Sequence, residues 1–96
     1  MTSAGAAIDA IAVDASDNVA TCLHAVEAGA DVSVKSGPDV ITVTAADAIP
    51  RGHKIALEGI AGGDAVRKYG EVIGKASTAV APGQHVHTHN VKTKRW

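Results

Sequence analysis

One seven-residue pattern recurs four times in this 96-residue chain: an aliphatic residue, two others, a glycine, two others, and a second aliphatic residue. The copies read VEAGADV (26–32), IPRGHKI (49–55), IAGGDAV (60–66) and VAPGQHV (80–86). Spacing this short leaves no room for a helix between the two aliphatics, so each copy is expected to be a tight turn. The first aliphatic anchors the turn to the core, and the glycine takes a backbone conformation that a side chain would oppose. The second aliphatic then opens a new strand. Pro50 and Pro82 precede the glycine in two copies, where a fixed φ favours the turn.

Between the turns lie strand-like runs at 8–13, 31–35, 39–45, 53–58, 65–70, 71–76 and 84–91. They are rich in β-branched residues, and SGP at 36–38 reads as a hairpin loop. The stretch around 18–28 is ambiguous. Val19, Cys22, Leu23 and Val26 have the i, i+3, i+4, i+7 spacing of a helix that Gly29 could end, whereas the repeat argues for strand and turn. The resulting expectation is a mainly β domain over 8–91, of many short strands with one or two short helical turns. It has a flexible leader at 1–7 and a basic tail at 92–96. With no Phe and only Tyr69 and Trp96 as aromatics, its core must be thin and aliphatic.

Composition removes several functional classes. A formal charge of −1 with acids and bases interspersed gives no basic face for nucleic acid, and Lys92, Lys94 and Arg95 read as a solvated end. No apolar run is long enough to span a bilayer. The N-terminal stretch lacks a basic region and carries Asp9 and Asp14, so it is a poor secretion signal. The single cysteine, Cys22, excludes an internal disulfide and fits a reducing cytoplasm. GIAGGDA lacks the lysine and hydroxyl residue of a phosphate loop, and no zinc-type Cys or His spacing is present.

The chemistry-bearing residues concentrate late in the chain. Of five histidines, His85, His87 and His89 fall on alternate positions of GQHVHTHN. On a strand, alternate residues share a face, so 84–91 is expected to present a polar row; a bend near Asn90 could bring two of the three to one ion. A solvated or interface face is the competing reading. GHK supplies His53 and Lys54 on opposite faces of a strand start. RKYG supplies Lys68 and Tyr69, a cation for a carboxylate beside either a ligand-facing ring or a core plug.

From Asp17 onward the motifs DNVAT, EAG, IPRGHKIAL, GGDAVRKYGEVIGKA and PGQHVHTHN follow one another in an order that resembles the SAF domain, a β-clip fold. SAF domains occur at the N-terminus of altronate and galactarate dehydratases and as the separate small subunit of related enzymes such as sulfolactate sulfo-lyase. The resemblance spans 8–91 and is most specific at GHKIAL, KYGEVIG and HVHTHN. It implies that NVATCL is a strand followed by a tight helical turn.

The resemblance also implies a lyase that removes water or sulfite beside a carboxylate, commonly with a divalent metal such as iron held mainly by a large catalytic subunit. Carried over by motif, His87 and His89 are candidate catalytic residues and metal ligands. Asn90, Lys68, Tyr69, His53 and Lys54 are candidate substrate contacts, and His85 carries less of the pattern. An imidazole can ligate iron or move a proton near neutral pH. The reading is therefore a cytoplasmic small subunit, inactive alone, that completes the site of a large lyase subunit around a hydroxy-acid substrate. The alternatives are a stand-alone module that binds a sugar acid or a protein, and a homo-oligomerisation domain.

Overall fold

The computed structural model describes residues 8–93. The four repeats are four turns of one kind. Gly29, Gly52, Gly63 and Gly83 have φ of 83–91°. In each copy the residue after the glycine donates its N–H to the carbonyl three residues back: Ala30 to Glu27, His53 to Pro50, Asp64 to Ala61 and Gln84 to Ala81, at 2.9–3.1 Å. A four-residue turn with positive φ at its third position is a type II turn, which puts Pro82 at the second position, where proline is favoured. All eight repeat aliphatics are buried, from 0 to 7% exposed. The first aliphatics also pair, Val26 with Ile49 and Ile60 with Val80.

These turns string together nine short strands: β1 (Ala10–Ala12), β2 (Val19–Cys22), β3 (Asp31–Ser36), β4 (Asp39–Thr44), β5 (Lys54–Ala56), β6 (Ala65–Lys68), β7 (Glu71–Ala76), β8 (His85–Val86) and β9 (Val91–Thr93). Six form a sheet in the order β4-β3-β1-β2-β5-β8, and β6-β7-β9 form a second. Only β1 and β3 pair in parallel; Ser36 opposes Asp39, so Gly37 and Pro38 make the expected β3–β4 hairpin loop.

Two aliphatic clusters form the core. One contains Ala10, Ala20, Cys22, Val32, Val34 and Ile55, and the other Val19, Ala56, Ile60, Val66, Val80 and Val86. Successive residues of β2 and β5 enter different clusters, because adjacent strand residues point to opposite faces. The two strands are therefore apolar on both faces. That is why NVATC shows no alternation and mimics a helical period.

The mainly β expectation holds, with three corrections. No helix occurs among the described residues, and the helical turn expected after NVATCL is instead bends, a bridge at Val26 and the first repeat turn. The run 84–91 is not one strand. It breaks after Val86, turns through 87–90, and resumes as β9 in the other sheet. The break is stabilised by Asn90: its carbonyl oxygen accepts from the N–H of His87 (2.9 Å) and its amide donates to the carbonyl of His85 (2.8 Å). The main-chain N–H groups of Asn90 and Val91 both donate to His87 as well. Finally, Lys92 belongs to β9 and not to a tail. The leader at 1–7 and residues 94–96 lie outside the described residues.

Candidate functional site

Two repeat copies build the site together. The second turn delivers His53 into β5 and the fourth delivers His85 into β8, and these strands pair antiparallel with Lys54 opposite Val86 and Ile55 opposite His85. Extending that register sets His53 opposite His87, with His85 as its diagonal neighbour on the same face, close enough for side-chain contact. The rings meet accordingly. His53 and His87 stack at 4.0 Å between centroids and 15° between planes, and His53 Nδ1 lies 2.8 Å from His85 Nε2, in a hydrogen bond for which one of the two carries the proton. Each of the three rings offers one nitrogen, and these nitrogens lie within 4.8 Å of one another. His87 Nδ1 is buried and has no hydrogen-bond partner.

Three contacts hold this arrangement in place through the backbone. Asn90 clamps the carbonyl of His85 and the N–H of His87. The carboxylate of Asp47 accepts from the N–H of His85 at 3.0 Å. The fourth turn is docked against the end of β4, with Ala46 N–H donating to the Gly83 carbonyl at 2.8 Å. Burial is the main reason that His85 and His87 titrate below the ordinary imidazole value. The charges of the neighbouring imidazoles add to it, with Lys54 also acting on His87 and Asp47 opposing the shift at His85. Near neutral pH these two rings accordingly carry lone pairs rather than charge.

Beside the stack is a cleft of about 230 Å³ lined by Lys54, Ile73, His87, Thr88 and Val91. Lys54 is partly buried, and burial first, then the charge of Lys68, lowers its pKa. The cleft thus offers one ammonium and one imidazole above an aliphatic floor.

The other expected site residues are distributed unevenly. His89 is exposed, its ring 5.0 Å from that of His85 and outside the group of three nitrogens. Asn90, expected as a substrate contact, is only 6% exposed, and its side-chain amide is bonded to the main chain of His85 and His87. Tyr69 is no core plug: it is 58% exposed at the tip of the β6–β7 hairpin, with Lys68 Nζ 4.8 Å above its ring. Tyr69 and Gly70 both have positive φ (57° and 74°), as a type I′ hairpin requires. Their N–H groups donate to the buried carboxylate of Asp17 at 2.9 and 2.7 Å.

Sequence reasoning missed the partnership of His53 with His85 and His87, and the supporting roles of Asp47 and Asp17. A signal for the first was present. Copies two and four each carry a histidine within two residues of the turn glycine, but only the β5–β8 pairing makes those positions neighbours.

Short strands strung on four like turns, with imidazoles gathered beside a cleft at the sheet edge, define a small β-domain of the clip type bearing a side-chain site. The family model for the altronate/galactarate dehydratase SAF domain matches residues 8–94, and the chain belongs to that family. Among curated relatives, the alpha subunit of (2R)-sulfolactate sulfo-lyase from Chromohalobacter salexigens is 40% identical over 92 residues, which is 93% of this chain and 98% of that protein. The corresponding alpha subunit from Paracoccus pantotrophus is 56% identical over 54 residues, 56% of this chain and 81% of that protein. Altronate dehydratase of Escherichia coli is 47% identical over 83 residues, 86% of this chain but 16% of that enzyme. These relatives are named as lyases, and the two sulfo-lyase chains as alpha subunits. No helix among the described residues is long and apolar enough to cross a membrane.

Proposed function

We propose that this chain is the small subunit of a lyase that eliminates water or sulfite beside a carboxylate, and that it completes an active site shared with a separate large subunit. The observation that carries the reading is the cleft beside the imidazole stack. It pairs an ammonium, Lys54, with a predominantly uncharged imidazole, His87, and is about half open to its surroundings. A pocket that buries most of a small ligand needs an opposing wall. Near-full-length likeness to a chain named as an alpha subunit supports a partner as the source of that wall.

In this site Lys54 would hold the acid group common to the relatives' named substrate classes as a point charge. His87 would move a proton at the substrate carbon or at the leaving group, and Ile73 and Val91 would exclude water from it. Tyr69, exposed at a left-handed position where asparagine would be less strained, would serve as an anchor for the partner. A divalent metal of the kind associated with the family fits the all-nitrogen donors of the stack, and when bound would supply a Lewis acid for the substrate's oxygen atoms.

The test is reconstitution with a large lyase subunit, using sulfolactate and aldonic or aldaric acids as substrates. The isolated chain should be inactive and the mixture active. His87→Ala should lower kcat by about 100-fold or more, the span of a general acid or base, while His24→Ala leaves it unchanged. Full activity of the large subunit alone, or of the complex with His87→Ala, would overturn the reading.

A further inference from the structure

We propose that His53, His85 and His87 form a three-imidazole site that binds a divalent transition metal on this chain alone, without a partner or substrate. Their donor nitrogens already lie within 4.8 Å of one another. Bonds of about 2.0–2.1 Å in a tetrahedral site set donor nitrogens about 3.3–3.4 Å apart, so the widest pair must close by up to about 1.5 Å. Side-chain rotation of half-buried rings supplies such a movement; it unstacks His87 from His53 and turns ring planes that now lie nearly parallel.

Three further observations favour an ion over a purely packed stack. His87 Nδ1 is buried without a hydrogen-bond partner, an arrangement that costs free energy until something accepts its lone pair or takes its proton. No carboxylate belongs to the group, so the cluster is not an ion-pair network. The backbone around the rings is fixed by Asn90, Asp47 and the Gly83 turn, so the strands that carry the donors are preorganised.

The chemistry of the donors sets the class of ion. Neutral imidazoles suit zinc, cobalt, nickel, copper or ferrous iron and not magnesium or calcium, which prefer oxygen. Ligation through His53 Nδ1 and His85 Nε2 moves the proton that this pair shares to the outward nitrogen of the ring that carried it. Three protein ligands leave further positions on the ion open, as catalytic sites do. His89 lies outside the set and is not required.

The experiment is titration of the untagged, isolated chain with zinc and with cobalt by calorimetry. In parallel, imidazole NMR signals are followed as cobalt is added. One ion per chain is expected, with paramagnetic effects centred on His53, His85 and His87. His53→Ala and His87→Ala should each weaken binding by about 10- to 100-fold or more, with His24→Ala and His89→Ala unchanged and magnesium silent. His53→Gln, which keeps a polar side chain of similar reach, should also lose binding while circular dichroism shows the native β signal. Absence of binding below millimolar metal, retention in the His53→Ala/His87→Ala double variant, or equal loss on His24→Ala would overturn the assignment. Because neither substrate nor partner is present, failure here is separable from failure of the lyase reading.

Discussion

His24 and Asp9 illustrate how a single contact ties a segment down. His24 Nε2 lies 2.7 Å from Asp9 Oδ1, while Asp9 Oδ2 accepts from the N–H of Ser33 at 2.9 Å. The His24 pKa is raised above 6.5, first by its hydrogen bond to the Ala25 carbonyl and then by Asp9. That of Asp9 is lowered below 3.8, chiefly by the Ser33 N–H. A raised histidine stabilises the fold below its unfolded value and loses that contribution as pH rises through the folded value. A lowered carboxylate stabilises above 3.8 and loses its contribution as pH falls through the folded value. The pair therefore acts between these limits, in mildly acidic solution. In an NMR titration, Asp9→Asn should lower the His24 midpoint, because the carboxylate that favours the charged ring is gone; no change would show that the pair is not formed. Cys22, by contrast, is chemically quiet: burial pushes its thiol up to about 11, so it packs as a small hydrophobe.

At the scale of the element, the four turns share one geometry but not one surrounding. Around Gly29 an added Cβ would meet nothing within 4 Å, so Gly29→Ala bears only the strain of positive φ, about 1–2 kcal/mol. At Gly83 the same atom would overlap the Thr44 carbonyl oxygen and crowd the Ala46 nitrogen, because this turn is docked onto the end of β4. Gly83→Ala should therefore lower stability in urea clearly more than Gly29→Ala, and should move the NMR signals of His85, two residues on. Equal losses would mean that the docking is looser than drawn. The β6–β7 hairpin depends instead on Asp17, which gives two acceptor oxygens to the N–H groups of Tyr69 and Gly70.

The whole molecule is held by two aliphatic clusters that share β2 and β5. Ala20 and Ile55 face one cluster, Val19 and Ala56 the other. Neither cluster can lose its packing without releasing strands that serve both. Ile55→Ala, in the first, should cost about 2–5 kcal/mol, a large share of the roughly 5–15 kcal/mol available to a domain. Val66→Ala, in the second, should cost less for its smaller side chain. Both should shift a single cooperative transition in circular dichroism. Two separable transitions would show the clusters to be independent.

Much of this organisation was legible in the chain. The repeat determined the turns, because positive φ at a glycine and burial of flanking aliphatics are local demands that residue types alone announce. Strand identity followed for β3, β4, β6 and β7, and the SAF resemblance followed from GHKIAL, KYGEVIG and HVHTHN. The NVATC segment was harder to read, since a strand buried on both faces carries no period of two. The imidazole cluster lay further out of reach. His53 and His85 are 32 residues apart, and only antiparallel pairing of β5 with β8 sets them side by side. The row expected from His85, His87 and His89 gave way because Asn90 turns the chain after Val86. Local conformation is encoded by neighbours along the chain, whereas a site assembled across strands depends on register, which tertiary packing fixes by burying one face of each strand and not the other.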